Sequence, residues 1–154
     1  MALSLVAGCP WVLNEQDSRG RTPLLAACYA GRSDCAQLLI ESGSNIFACD
    51  KDGNGVLHLA AINGHTQLLQ LLLLKAEAQA ITPQLTAAVN LSGFSPLHYA
   101  AFAGNAACVR ALLAAGVDAL QGSWGEYDRS ACQETQCLLT HAHCSLLRAS
   151  PRMP

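Results

Sequence analysis

The chain has little charge and few aromatic residues. Of its 154 residues 13% are charged and 5% aromatic, and the net charge is −2. No run of Lys and Arg occurs, so nucleic acid and acidic membrane surfaces are poor partners. Long apolar runs are missing as well. Leu68 to Leu74 is interrupted by Gln70 and falls far short of the ~20 residues that a membrane span requires. The opening segment ends in a lipobox-like Val6-Ala7-Gly8-Cys9, but no Lys or Arg precedes it and its apolar stretch is too short for a secretory signal. Nothing therefore points to an oxidising compartment. The eight cysteines read as free thiols, the sequon Asn90-Leu91-Ser92 carries no meaning, and the expected location is the cytoplasm, with the nucleus open.

What the chain does have is Ala, Leu and an internal repeat. Three stretches share one spaced pattern. They are Asp17-Ser-Arg-Gly20-Arg-Thr22-Pro-Leu-Leu-Ala-Ala27, Asp50-Lys-Asp-Gly53-Asn-Gly55-Val-Leu-His-Leu-Ala60-Ala61 and Asn90-Leu-Ser-Gly93-Phe-Ser95-Pro-Leu-His98-Tyr-Ala100-Ala101. Gly31, Gly64 and Gly104 follow at matching distances. Recurrence at this spacing fixes architecture, core and solvent faces together. It predicts an all-α solenoid whose units each read as turn, helix, tight turn, helix, loop.

In the first unit Thr22 is the expected helix cap, with Pro23 at the first helical position. Gly31 ends that helix, and a second runs from about Asp34 to Ser42. Cys35 and Cys108 share one repeat position on an apolar face and read as small buried hydrophobes. In the second unit Gly55-Val56 replaces the capping pair, and Ala76 stands where the terminating Gly is expected. Seven extra residues near 75–89 then predict a projecting loop, with Thr82-Pro83 marking it. The expected organisation is a partial N-terminal repeat or cap at 1–16 and units at 17–49, 50–89 and 90–122. A degenerate repeat, or a C-terminal helix and tail, follows at 123–154.

Three constellations invite chemistry. His58 and His98 fall at the same repeat position, but no nucleophile or carboxylate accompanies them, so each is expected to bond a neighbouring loop. Asp50-Lys-Asp52-Gly-Asn54 imitates the start of a calcium loop, yet Ala61 stands where the bidentate Glu is required. Cys132, Cys137, His141, His143 and Cys144 resemble zinc ligands, but their gaps match no common finger spacing. No catalytic residue, metal or cofactor is expected, and no small-molecule substrate.

The repeated residues resemble the ankyrin-repeat family over Asp17 to about Asp118, although Leu25 stands where that family usually has His. The resemblance implies helix pairs joined by projecting turns, and binding of another protein rather than catalysis. It also implies a concave groove lined by turn tips and the first helices. Matched position by position, that groove contains Ser18, Arg19, Arg21 and Tyr29 in the first unit, and Lys51, Asp52, Asn54, Ile62 and Asn63 in the second. Leu91, Ser92, Phe94, Phe102 and Ala103 belong to the third. Tyr29, Ile62 and Phe102 share one position and are expected to form an apolar row, with Phe94 beside it as a further anchor. Arg19, Arg21, Lys51 and Asp52 would set orientation and on-rate. An adaptor, a scaffold or an inhibitor fits this reading. The alternatives are a piece of a larger ankyrin array (a receptor, channel or signalling scaffold) and a zinc-binding tail.

Overall fold

A computed structural model describes residues 10–117 of the chain. The zinc-like cluster, the 123–154 segment and the first nine residues of the N-terminal cap lie outside the described residues. Among the described residues there are seven α-helices, one short 3-10 helix at Pro10–Asn14 and no strand. The helices are α1 (Pro23–Ala30), α2 (Ser33–Glu41), α3 (Val56–Ile62), α4 (Thr66–Ala78), α5 (Thr82–Thr86), α6 (Pro96–Phe102) and α7 (Ala106–Ala114). First helices α1, α3 and α6 pack side by side, and second helices α2, α4 and α7 form the adjoining layer.

Local chemistry explains the boundaries. Thr22 is extended, and its hydroxyl oxygen accepts a hydrogen bond from the Leu25 N–H at 3.3 Å, so the expected cap is present. Gly31 closes α1 in the left-handed region at φ 71°, where a glycine carries no Cβ penalty. Gly55 has no side chain to cap α3. Its N–H instead donates to His58 Nδ1 at 3.2 Å, which satisfies one of the donors left open at a helix start.

Between the two layers lies one continuous core. Leu24, Leu25, Leu57, Leu68, Leu69, Leu72, Leu97 and Leu112 are fully buried in it. Each contributes roughly 1.5–3 kcal/mol of apolar burial, and four come from the first helices and four from the second, so both layers hold the stack together.

Two expectations are corrected. The insertion does not form a projecting loop. Gly31 to Gly43 and Gly104 to Gly116 both span 12 residues, whereas Gly64 to Ala80, the left-handed residue that closes α4, spans 16. Four of the extra residues thus add about one helical turn to α4, which passes through buried Ala76 instead of ending there. The other three help to build α5. Pro23, Pro83 and Pro96 all occupy the first turn of a helix, so Thr82-Pro83 opens a helix where a loop was expected. Thr86 Oγ1 donates to the Thr82 carbonyl at 2.8 Å, and Leu85 joins the core.

Cys35 is the second correction. Its equivalents Leu68 and Cys108 are buried, and Cys108 Sγ lies 3.4 Å from Thr66 Oγ1 of the unit before it. The position therefore faces the preceding unit. Before unit one the described residues supply only the 3-10 turn, which packs on α1, and Cys35 is exposed. Leu38, on the same helix, is also exposed. Cys28, by contrast, is buried, and desolvation pushes its thiol up to about 12.

Candidate interaction groove

Each projecting tip is built the same way. Asp17 Oδ1 accepts from the N–H groups of Arg19 and Arg21 at 2.8 and 2.9 Å. Asp50 Oδ1 does so for Asp52 and Asn54 at 3.0 and 2.8 Å, and Asn90 Oδ1 for Ser92 and Phe94 at 3.0 and 2.9 Å. This is why Asp or Asn opens every tip: a short side-chain acceptor holds two backbone donors that the turn would otherwise leave open. A glycine in the left-handed region closes each turn. At Gly53 (φ 80°) a Cβ would also come within 2.8 Å of the Leu91 nitrogen on the next tip. The tips are linked in series, with Lys51 N donating to Arg19 O at 3.1 Å and Leu91 N to Asp52 O at 3.0 Å.

Behind the tips the first helices supply an apolar wall. Tyr29, Ile62 and Phe102, at equivalent positions, are 47%, 39% and 75% exposed. An open depression of about 480 Å³ brings Ser18, Arg19, Arg21 and Tyr29 of the first unit against Lys51, Asp52, Asn54 and Ile62 of the second. Asp50 and Leu59 line it too. Neither is among the expected groove residues: Asp50 opens its tip, and Leu59 belongs at the same time to the core. The residue pattern carries no signal that either borders the groove.

Other expected groove residues are spent on internal bonds. Asn63 Nδ2 donates to the Tyr29 and Leu59 carbonyls, each at 3.2 Å. Asn54 Nδ2 donates to Asp50 Oδ2 at 3.3 Å, while its Oδ1 accepts from Asn90 Nδ2 at 3.0 Å. Phe94 is half-buried, tilted against the His98 and Tyr99 rings with centroids 6.0 and 6.1 Å away. Leu91, Ser92, Phe102 and Ala103 are exposed on the third unit, outside the depression.

Arg21 is held more firmly than the other cations. Its Nε donates to Asp17 Oδ2 at 3.3 Å, and its guanidinium carbon lies 5.3 Å from the Tyr29 ring centroid. Asp17 is held below the usual carboxylate range, chiefly by the hydrogen bond from the Arg21 N–H.

The histidines tie backbone together. His58 Nδ1 accepts from Gly55 N–H, so its proton is on Nε2, which donates to the Phe94 carbonyl of the next tip at 3.0 Å. Burial pushes His58 down to about 4, against a smaller opposing effect of that carbonyl. His98 Nδ1 accepts from Ser95 N–H at 3.2 Å and lies 2.7 Å from Ser95 Oγ, and burial lowers its pKa as well. The Asp50 carboxylate, first member of the calcium-like sequence, is turned into its own tip.

Residues 2–84 and 43–123 match the family model for ankyrin repeats (three copies). The chain is 33% identical over 107 residues to the nuclear factor NF-kappa-B p105 subunit of Gallus gallus, covering 70% of this chain and 10% of that protein. It is 48% identical over 61 residues to the DNA replication inhibitor plutonium of Drosophila melanogaster, covering 40% of this chain and 35% of that one. With inversin of Gallus gallus it shares 32% over 111 residues, 72% of this chain and 9% of inversin. The chain thus spans from about a tenth to about a third of the length of these relatives. Ankyrin repeats generally mediate protein–protein interaction and are typically non-catalytic. The matched family model and the stacked helix pairs agree: the chain belongs to the ankyrin-repeat family.

Proposed function

We propose that the chain binds a partner protein along the groove formed by its tips and first helices, acting as an adaptor, scaffold or inhibitor. One observation carries this reading. Tyr29, Ile62 and Phe102 leave an apolar row open to solvent on helices that contain no charged residue. An isolated exposed apolar side chain needs no explanation, but one per unit at the same repeat position is a surface. Arg19, Lys51 and Asp52, exposed on the tips, would steer the encounter. Nucleic acid and small-molecule substrates have no place in this reading. A cytoplasmic or nuclear location fits the four described cysteines, all free. Replacing Tyr29, Ile62 and Phe102 together by alanine should abolish partner capture while thermal unfolding stays cooperative. Undiminished capture by that folded variant rules the groove out.

A second reading is that the chain is part of a longer ankyrin array. It covers 10% of the p105 subunit and 9% of inversin, and the exposed Cys35 and Leu38 occupy a face that in later units meets the preceding one. An antibody against the first tip would then detect a product much larger than 154 residues. A product of 154 residues alone would end this reading.

A further inference from the structure

Charge is confined to one end of the groove. Helices α1, α3 and α6 contain no Asp, Glu, Lys or Arg, and neither does the third tip, Leu91 to Phe94. All ions of the groove sit on the first two tips, where two of the three carboxylates are already engaged. Asp17 is bound by two backbone N–H groups and by Arg21, and Asp50 by two N–H groups and Asn54. Asp52 alone remains open, against the cations Arg19, Arg21 and Lys51.

Among these cations Arg21 is built as a receptor. Asp17 fixes its Nε and the Tyr29 ring supports its face, so the side chain is ordered and only 19% exposed. Its two terminal amines make no hydrogen bond within the described residues. A guanidinium immobilised in this way presents a planar fork that a carboxylate can meet with two parallel bonds. The ordering cost is met before the ligand arrives, which is what distinguishes it from the freely exposed Arg19 and Lys51. Apolar surface begins beside it, at Ile62 in the same depression, and continues to Phe102.

We infer that Arg21 is the carboxylate-reading position of the groove. The partner then supplies a linear segment whose internal Asp or Glu seats on Arg21 and whose apolar side chains run over Ile62 toward Phe102. Spacing narrows the pattern. Packed helices lie about 8–10 Å apart, and a polyproline-II segment presents the same face every three residues, ~9 Å along its axis. The recognised sequence is therefore an acidic residue at i with apolar residues at i+3 and i+6, in either chain direction.

This inference rests on the groove reading, and the test separates the two. Short random peptides with both ends blocked are selected on the intact chain, and the winners are measured against variants. The expected consensus is acidic–x–x–apolar–x–x–apolar. Arg21→Gln should weaken the winners by about tenfold or more, the usual scale for losing a charged hydrogen-bond partner. Arg21→Lys, which keeps charge but not the fork, should recover only part of this. The fold tolerates such changes, because Asn54 and Phe94 occupy the same position in the other tips and the backbone N–H makes the turn bond. Winners that need Ile62 and Phe102 but are basic or uncharged, or that ignore Arg21→Gln, overturn the carboxylate inference and leave the groove standing. Winners indifferent to the triple alanine variant overturn both.

Discussion

The interface between units one and two and the interface between units two and three are made from equivalent helices but joined by different chemistry. At the first, the polar ties lie at the surface. Asn63 and His65 reach the Tyr29 carbonyl at 3.2 Å, and Lys75 meets Glu41 at 3.2 Å. At the second the ties run through partly buried ground. His58 bonds the Phe94 carbonyl at 3.0 Å, and Asn90 Nδ2 bridges Asn54 Oδ1 and the Tyr99 hydroxyl at 3.0 and 2.8 Å. The difference traces to two repeat positions. Asn90 in unit three can donate where Asp50 in unit two cannot, and His58 in unit two takes the place of Leu25 in unit one, both buried. A leucine there gives packing that is indifferent to pH. A histidine adds a cross-unit bond that burial makes sensitive to acid.

The largest effect should come from what both interfaces share. Leu69 is fully buried in the central unit, and Leu69→Ala should cost about 2–5 kcal/mol by lost burial and a residual cavity. Urea unfolding followed by helical circular dichroism measures this. A loss below 1 kcal/mol, well under the roughly 2 kcal/mol floor for such changes, would mean that the units do not share a core.

Acid should then separate the interfaces. His58 titrates near 4 when folded and near 6.5 when unfolded, so between those values the unfolded chain binds the extra proton. Its contribution is complete above pH 6.5 and is lost as pH falls toward 4, by on the order of 3 kcal/mol. His98 shifts in the same direction and adds to the loss. Urea midpoints at neutral and mildly acidic pH should therefore differ markedly for the native chain and less for His58→Leu. Equal pH dependence in the two would remove His58 as the cause.

His58→Leu also makes the second interface imitate the first. At neutral pH it leaves the Gly55 N–H without its acceptor and the Phe94 carbonyl without its cross-unit donor, although that carbonyl still accepts from Asn90 N–H. The expected loss is about 1–3 kcal/mol, the scale of a buried group left unsatisfied. If the variant is as stable as the native chain, leucine packing alone suffices at both interfaces.

How much of this the residues disclosed depends on whether a feature is local. Thr22 and Gly31 act on backbone within four positions, and their roles are legible in order along the chain. The apolar row is legible too, because repeat position fixes which way a side chain faces. Features that depend on a neighbouring unit were hidden. Cys35 looks like Cys108 until one asks what stacks in front of it, and Phe94 looks like a free anchor until the His98 and Tyr99 rings are in place. The Arg21–Tyr29 stack crosses from a tip to the end of a helix, a distance that no sequence spacing reports. Thr82-Pro83 misled for another reason: the same pair of residue types opens helices and marks loops, and only the buried Leu85 decides.

The smallest effect concerns how the second helices of units one and two end. Gly43 closes α2 at φ 91° and Ala80 closes α4 at φ 56°. Ala80 N–H bonds the Glu77 carbonyl at 3.0 Å, and Ile81 N–H bonds the Ala76 carbonyl at 2.9 Å, so the left-handed turn is kept although its residue has a Cβ. Left-handed backbone costs an alanine roughly 1–2 kcal/mol, whereas a glycine there loses about 0.4–1 kcal/mol more chain entropy on folding. The first term exceeds the second, so Ala80→Gly should stabilise the chain by somewhat under ~1 kcal/mol. Gly43→Ala is the reciprocal experiment. A Cβ at Gly43 would meet no atom within 4 Å, so that change reports conformational cost without a clash. Opposite shifts of similar size in the urea midpoint are expected. If Ala80→Gly destabilises instead, the inserted turn is held by its side-chain packing, and the two helix ends are not equivalent in energy even though they share a backbone conformation.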